Sequence, residues 1–357
     1  MHNQVMMNKE IYIDLLKNMI ALPSYSGKEE KTAKLLATYF SDKGYLVNRF
    51  YNNVWVFNYY FDTEKPTLLL CSHHDTVQEK GYSIDPFNPI VKEGKLYGLG
   101  SNDAGASVVS LIATFDHFYF ANKMKYNLCL LLSAEEEIGG EKGIRAISPL
   151  LPTIDLAIIG EPTKMDVAIA ERGLMVLDCQ TTGVSGHAAH PNTINPIYLA
   201  LDDLNWLASY RFPKVSDLLG EVKMSVTIIA AGSQHNVVPD KCCFTIDVRS
   251  NGCYTNEEIL AIIQAHLKSK VTPRSTRLSS SQIAATHPLV EQCQKNGAKT
   301  FGSTTLSDQA LLTCPSVKMG VGDSMRSHTA NEYVELQEIE DGIDRYVTIL
   351  DGYLLAE

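Results

Sequence analysis

The sequence predicts an α/β fold interrupted by a smaller α+β segment, and three observations carry that expectation. The runs Val54 to Phe57, Thr67 to Cys71, Leu128 to Leu132 and Leu156 to Ile159 are β-branched or apolar at every position, the signature of strands buried on both faces. Segments of helical period alternate with them. From about Val176 to Ser275 the pattern resets to a β, α, β, β, α order, typical of a separate α+β unit.

Taken in order, Ile11, Leu15, Leu16 and Met19 share one helical face, which Pro23 and Ser24 end. Ser26 followed by Glu29 has capping-box spacing, predicting a second helix that runs to about Lys43 with Gly44 just past it. Ala104 to Asn122 is expected to be a helix between two buried strands. In the middle segment a polar strand precedes a helix at Ile197 to Ser209, strands near Val222 to Ala230 and Cys243 to Arg249, and a helix from Asn256 to Lys270. The tail offers a helix (His287 to Lys299), a strand (Val317 to Met319) and a final helix (Leu336 to Leu354). If the tail rejoins the first domain, residues 1–175 and 281–357 form one domain and 176–280 are an insertion.

With 357 residues, 45% hydrophobic and 20% charged, the chain can bury a sizeable interior and is neither disordered nor a coiled coil. A formal charge of -10 argues against a nucleic-acid partner, because phosphate binding needs concentrated Lys and Arg. The eight cysteines show no CxxC spacing and read as reduced core residues of a reducing compartment. Met1 to Glu10 has no basic segment followed by an apolar one, and the longest apolar run, Leu128 to Leu132, is too short to cross a membrane. The expected location is the cytoplasm, with no membrane partner.

Chemistry-bearing residues gather just past the apolar strands. Thr67 to Cys71 runs into Ser72-His73-His74-Asp75, and residues two apart on an extended chain point the same way. Asp75 can therefore sit on the far nitrogen of a metal-bound His73 imidazole, while His74 points to the other face. Gly98-Leu99-Gly100-Ser101-Asn102-Asp103 puts a carboxylate directly before a helix; a plain N-cap is the competing reading, and a dinucleotide loop is weak because the third glycine falls at Gly105. Glu135-Glu136-Glu137 follows Leu128 to Leu132, either as a solvated acidic turn or as mutually repelling carboxylates compensated by a cation. Glu161 leaves the next buried strand, and His328 follows Val317 to Met319.

His73, Asp103, Glu137, Glu161 and His328 thus share the functional edge of one α/β sheet. Two histidines and three carboxylates without thiolate suit zinc or cobalt in a hydrolytic site. Two such ions ~3.5–4 Å apart lower a water pKa and polarise a scissile carbonyl. A further carboxylate must take the water proton, which is the use of Glu136 beside Glu137.

These segments, in this order, resemble the M20 metallopeptidase family of acetylornithine deacetylases, succinyl-diaminopimelate desuccinylases, aminoacylases and carboxypeptidases. The resemblance implies a zinc-peptidase-like catalytic domain with a mixed, mainly parallel sheet, and an inserted ferredoxin-like lid that forms a homodimer. It implies that His73 and Glu161 hold one zinc and Glu137 and His328 the other, with Asp103 bridging and Asp75 orienting His73. Glu136 becomes general base and then proton donor to the leaving amine. A cis peptide is implied at Asp103-Ala104. Within Gly186-His187-Ala188-Ala189-His190-Pro191, His187 matches the histidine that reaches a neighbouring active site and stabilises an oxyanion; on its own it reads equally as an ordinary loop histidine. Asn236 and Arg249 match substrate-carboxylate contacts, with a surface ion pair as the alternative for Arg249. Glu135, Leu99 and His190 depart from the family pattern without removing a ligand or the base.

The expected activity is hydrolysis of the amide of a small N-acyl amino acid, first N-acetylornithine in arginine biosynthesis, with two Zn2+ or substituting Co2+. The nearest rival is an N-succinyl-amino-acid desuccinylase acting on succinylornithine or succinyl-diaminopimelate. Arg326 could pair with the succinyl carboxylate, the substrate's α-carboxylate or a protein acid. Rivals of other classes are a catalytically silent binding protein and a structural-metal protein.

Overall fold

The computed structural model describes residues 7–355, which divide into two compact units. The first contains the chain up to Ile169, Ile283–Phe301 and the segment from Ser307 onward; the second contains Ala170–Gln282 and Gly302–Leu306.

In chain order the first unit begins with α1 (Glu10–Ile20), α2 (Glu30–Asp42), β1 (Val47–Phe50), β2 (Asn53–Phe57) and β3 (Thr67–His73). It continues through β4 (Ile90–Lys92), β5 (Lys95–Tyr97), α3 (Ala106–Phe118), β6 (Asn127–Ser133), α4 (Ile144–Ile147), β7 (Leu156–Ile159) and β8 (Val167–Glu171). The middle segment supplies β9 (Gly173–Thr182), β10 (Gly186–His187), α5 (Pro196–Ser209), β11 (Lys223–Ala231), β12 (Val237–Val238), β13 (Lys241–Ser250), α6 (Asn256–His266), β14 (Lys270–Pro273) and β15 (Ser281–Gln282). The tail adds α7 (Pro288–Lys295), β16 (Thr300–Ser303), β17 (Ser316–Lys318), β18 (Tyr333–Glu335) and α8 (Leu336–Leu354).

The main sheet runs β1-β2-β6-β3-β7-β17-β8, with β15 and β16 extending it along β8. Its centre, β6-β3-β7-β17, is parallel, and the flanking pairs are antiparallel. Every residue of β3 and β6 is buried, because both faces are covered. Leu68 and Leu70 join the larger core with residues of α1, α2, α3, α7 and α8, while Leu69 and Cys71 pack on the opposite face with Ile144 and Ile147 of α4. This two-residue alternation between cores is why the strands are apolar throughout rather than every other residue. Registers His73↔Ser133 and Cys71↔Ile159 bring the carboxyl ends of β3, β6 and β7 together.

In the second unit an antiparallel sheet of order β11-β13-β9-β14 carries α5 and α6 on one face. Chain order β9, α5, β11, β13, α6, β14 gives the ferredoxin-like arrangement. Met175, Leu177 and Cys179 on β9 alternate into its core with Val248, Ile246 and Phe244 directly opposite on β13.

Several sequence expectations need correction. No capping box starts α2: the Ser26 hydroxyl donates instead to Asp75 at 2.7 Å, and the Glu29 carboxylate accepts from Gly27 N–H and, at 2.9 Å, from the Asn52 amide. A long-range acceptor outcompetes the local one. The helix expected from Ala104 begins at Ala106 after a tight turn over residues 101–105, and no side chain caps it; Asp103 is therefore not an N-cap. The helix expected to reach Lys270 stops at His266, because the Asp203 carboxylate of α5 captures the Lys268 and Ser269 N–H groups at 2.9 Å each and β14 follows. Not all cysteines are core residues: Cys243 is exposed, and Cys253 and Cys314 are partly so. Among the described residues no helix is long and apolar enough to cross a membrane.

Candidate metal centre

β3 ends at His73, whose Nδ1 donates to the Asp75 carbonyl at 3.0 Å. The tautomer is thereby fixed, as expected of residue 75, but by its backbone oxygen; the Asp75 carboxylate lies 3.5 Å away. That carboxylate also accepts the Ser26 hydroxyl at 2.7 Å and the N–H groups of Glu136 and Glu137 at 3.1 and 3.2 Å. One buried residue thus holds the turn after β6 against the end of β3. Burial alone would raise the Asp75 carboxyl; His73 and Ser26 keep it below its ordinary value. His74 points away, its Nε2 bonded to the Asn52 carbonyl at 2.9 Å.

With its Nδ1–H committed, His73 presents Nε2 to Asp103 Oδ1 at 3.3 Å and Glu161 Oε1 at 3.5 Å. The other oxygen of Asp103 faces His328 Nε2 at 3.6 Å, and His328 Nε2 lies 3.0 Å from Glu137. Two donor triads result, His73–Asp103–Glu161 and Asp103–Glu137–His328, each with its ligand atoms within 4.8 Å of one another. They share Asp103. The loop that delivers it turns at Gly100, in a left-handed conformation where a Cβ would strike Thr76, and the Asp103-Ala104 peptide is cis.

A cation fits both triads. A neutral imidazole with Nδ1–H bonded has only a lone pair at Nε2, and here it faces carboxylate oxygens, so acceptor confronts acceptor unless positive charge lies between. Ligand atoms ~2.0–2.1 Å from one tetrahedral ion lie about 3.3 Å apart, close to the separations at His73. The carboxylates outweigh the positive charge that His73 and Lys318 bring to them. Burial pushes Glu161 up to about 8, with the charges of Asp103 and Glu137 adding to it. Burial likewise raises Glu136 well above its ordinary value, reinforced by Glu161, Asp308 and Glu137 against the opposing pull of His73. His328 is raised to about 9, chiefly by its bond to Glu137.

The acidic triplet is not a solvated turn. Glu135 folds back to accept Lys142 N–H at 3.0 Å, Glu137 faces His328, and Glu136 stays half-buried beside the triads without belonging to either. Two carboxylates escaped the sequence reading. Glu332, 2% exposed, accepts the N–H groups of Gly100, Asn102 and Asp103 at 3.0, 2.8 and 2.8 Å. Asp308, also buried, accepts the Ser133 hydroxyl at 2.6 Å. Neither sits in a recognisable motif, so nothing in the sequence singled them out.

Arg326 is engaged by a protein acid, Glu338 of α8, through bonds of 2.6 and 3.1 Å, and lies 4.6 Å from the Tyr333 ring centre. Within the second unit, His187 pairs with Val237 and its Nδ1 accepts the Ala189 N–H at 3.2 Å. The Asn236 carbonyl accepts Ala188 N–H at 2.9 Å, so the two loops are knit together. Arg249 chelates Asp247 on its own strand at 2.8 and 3.0 Å.

A mixed sheet carrying two N/O donor sets that share a carboxylate, with a spare carboxylate alongside, defines a metal-dependent hydrolase. Residues 69–352 match peptidase family M20/M25/M40, and the chain belongs to that family of metal-dependent amidohydrolases, which act on small acyl amino acids or peptides. Succinyl-diaminopimelate desuccinylase 2 of Ruegeria sp. is 25% identical, covering 97% of this chain and 95% of its own. Acetylornithine deacetylase of Proteus mirabilis is also 25% identical, covering 97% of each chain. Among solved structures, aminopeptidase PepT of Bacillus cereus superposes with a TM-score of 0.79 at 18% identity, over 97% of this chain and 99% of that one. The Bacillus subtilis YXEP protein, described as a dinuclear metal binding peptidase from the M20 family, gives 0.71 at 16% identity over 98% and 99%.

Proposed function

We propose that the chain hydrolyses the amide bond of an N-acyl amino acid, with N-acetylornithine in arginine biosynthesis as first substrate. Arg326 carries the choice of acetyl over succinyl: its guanidinium is held by Glu338 at 2.6 and 3.1 Å, so a succinyl carboxylate would have to displace a bidentate partner. The second reading, a desuccinylase, is favoured by the resemblance to the Ruegeria enzyme over 97% of the chain.

In this proposal His73 and Glu161 hold one zinc ion, Glu137 and His328 the other, and Asp103 bridges; cobalt can substitute. Bound there, the metals supply Lewis acidity toward the scissile carbonyl and toward water. Glu136 accepts the proton of the attacking water on its carboxylate and returns it to the departing amine nitrogen. Asp75 keeps Glu136 in place through its backbone N–H and fixes the His73 tautomer. Asn236 and Arg249 bind the substrate carboxylate, for which Arg249 must leave Asp247. The free thiols support a cytoplasmic setting.

The second unit is proposed as lid and dimer interface. Supporting this, β11 is an edge strand with Ile228 and Ile229 exposed, next to exposed Tyr198 and Leu201 on α5; unpaired edges of this kind favour strand-to-strand association. His187 is then the oxyanion donor to the partner's centre, a role worth ~10²–10³ in kcat. Mixing His187→Ala with Glu136→Ala protein should restore part of the activity through hybrid dimers; no rescue despite proven subunit exchange would remove the role.

The substrate assignment is tested by assaying acetylornithine, succinylornithine and succinyl-diaminopimelate side by side with the zinc- or cobalt-loaded protein. The acetyl compound should show the highest kcat/KM. A clear succinyl preference would make the second reading correct.

A further inference from the structure

We propose that Glu332 is the positioning residue that sets the spacing of the two metal sites by clamping the loop that carries Asp103 to the segment that carries His328. This rests on the two-metal reading above.

The shared ligand Asp103 reaches its place on an irregular loop, residues 98–103, whose amide groups have no helix or sheet partner of their own. Glu332 satisfies four of them. Its carbonyl accepts Gly98 N–H at 3.1 Å, its Oε2 accepts Gly100 N–H at 3.0 Å, and its Oε1 accepts Asn102 and Asp103 N–H at 2.8 Å each. Buried amides left without acceptors are costly, so the loop is held in the arrangement that keeps these bonds.

The clamp also has a fixed base. Glu332 immediately precedes β18, which pairs with β5 through Tyr333↔Tyr97 and Val334↔Leu96, and β5 leads directly into the loop. Four residues before Glu332 stands His328. Between loop and segment a second tie runs from Asn102, whose Oδ1 accepts Asp323 N–H at 2.9 Å and whose amide donates to the Asp323 carbonyl at 3.1 Å. The position of His328 relative to Asp103, 3.6 Å between their facing atoms, is therefore inherited from Glu332 and Asn102 rather than from the sheet. Glu332 is itself a member of neither triad; it acts through the backbone N–H of Asp103 and of the residues before it.

A residue of this kind supports metal binding at second hand, where loss typically costs ~10–100-fold in metal affinity or activity. The expected phenotype is selective. Both sites use Asp103, but the first takes its other two donors, His73 and Glu161, from β3 and just past β7 and should survive, whereas the second needs Asp103 and His328, both carried on the clamped segments, in register and should weaken more.

The experiment compares wild type, Glu332→Ala and Glu332→Gln for Zn2+ and Co2+ binding by calorimetry and elemental analysis, with the visible Co2+ spectrum, thermal unfolding and kinetics alongside. Wild type should bind two equivalents. Glu332→Ala should stay folded, retain one tight equivalent, bind the second at least about 10-fold more weakly, and show an altered Co2+ spectrum with kcat falling more than KM changes. Glu332→Gln keeps one acceptor oxygen for Asn102 and Asp103 but presents an amide donor to Gly100 N–H, so it should fall between the two. Two tight equivalents with a wild-type Co2+ spectrum in Glu332→Ala would overturn the proposal; if that variant does not fold, the same result in Glu332→Gln would. Fewer than two equivalents in wild type would instead overturn the two-metal reading on which it rests.

Discussion

Replacing Glu136 with Gln is expected to lower kcat by ~10²–10⁴-fold, the usual worth of a general base, while the protein still binds two metal equivalents. The amide has the shape of the carboxylate, and the Glu136 N–H that Asp75 accepts at 3.1 Å is untouched. Neither donor triad includes this side chain, so metal content should not change. Only the proton acceptor is lost. KM should move little, because substrate contacts are assigned to other residues. Steady-state kinetics paired with elemental analysis decides the matter: turnover near wild type would remove Glu136 as base, and loss of a metal would make it a ligand.

Asp103→Ala should have an effect as large, of a different kind. Its two oxygens face His73 at 3.3 Å and His328 at 3.6 Å, so removal takes a donor from both triads at once. Metal affinity should fall by more than the ~10–100-fold typical of an outer-shell loss, and activity should disappear with it. The metal-free protein should also lose stability, by less. Despite its burial the Asp103 carboxyl is held below its ordinary value by His73, Ser327 and His328, so its charge stabilises the fold near neutral pH, and that gain outweighs its repulsion of Glu161 and Glu332. Thermal unfolding in chelator is therefore expected to give a lower Tm for Asp103→Ala than for wild type, with a larger deficit when zinc is present. Unchanged zinc binding by the variant would exclude Asp103 as a shared ligand, and unfolding of the wild type by chelator alone would point to a structural metal.

The strands and the residues at their ends were legible because both depend on local pattern. Continuous apolar runs announced β3, β6 and β7, and a parallel register then had to bring His73, Glu137 and Glu161 to one edge. Features decided by long-range partners were not. Ser26 has the spacing of a cap, yet its hydroxyl is taken by Asp75, which is 49 residues away. The end of α6 is dictated by Asp203 on another helix. Glu332 is a lone carboxylate in the sequence and becomes meaningful only when β18 and β5 pair. Arg326 and Arg249 were ambiguous for a further reason: a long, multiply donating side chain takes whichever carboxylate lies within reach, and spacing does not say which.

The main sheet also has a temporal consequence. β17 lies between β7 and β8, and α8 packs against α3, yet both are encoded after the whole of Ala170–Gln282. A ribosome therefore delivers the inserted unit nearly entire, as one contiguous stretch able to close its own interior, while β7 still waits for its parallel neighbour. Emerging chains hold the apolar edge of β7 open for more than a hundred residues of synthesis, a long exposure for a strand buried on both faces in the finished enzyme.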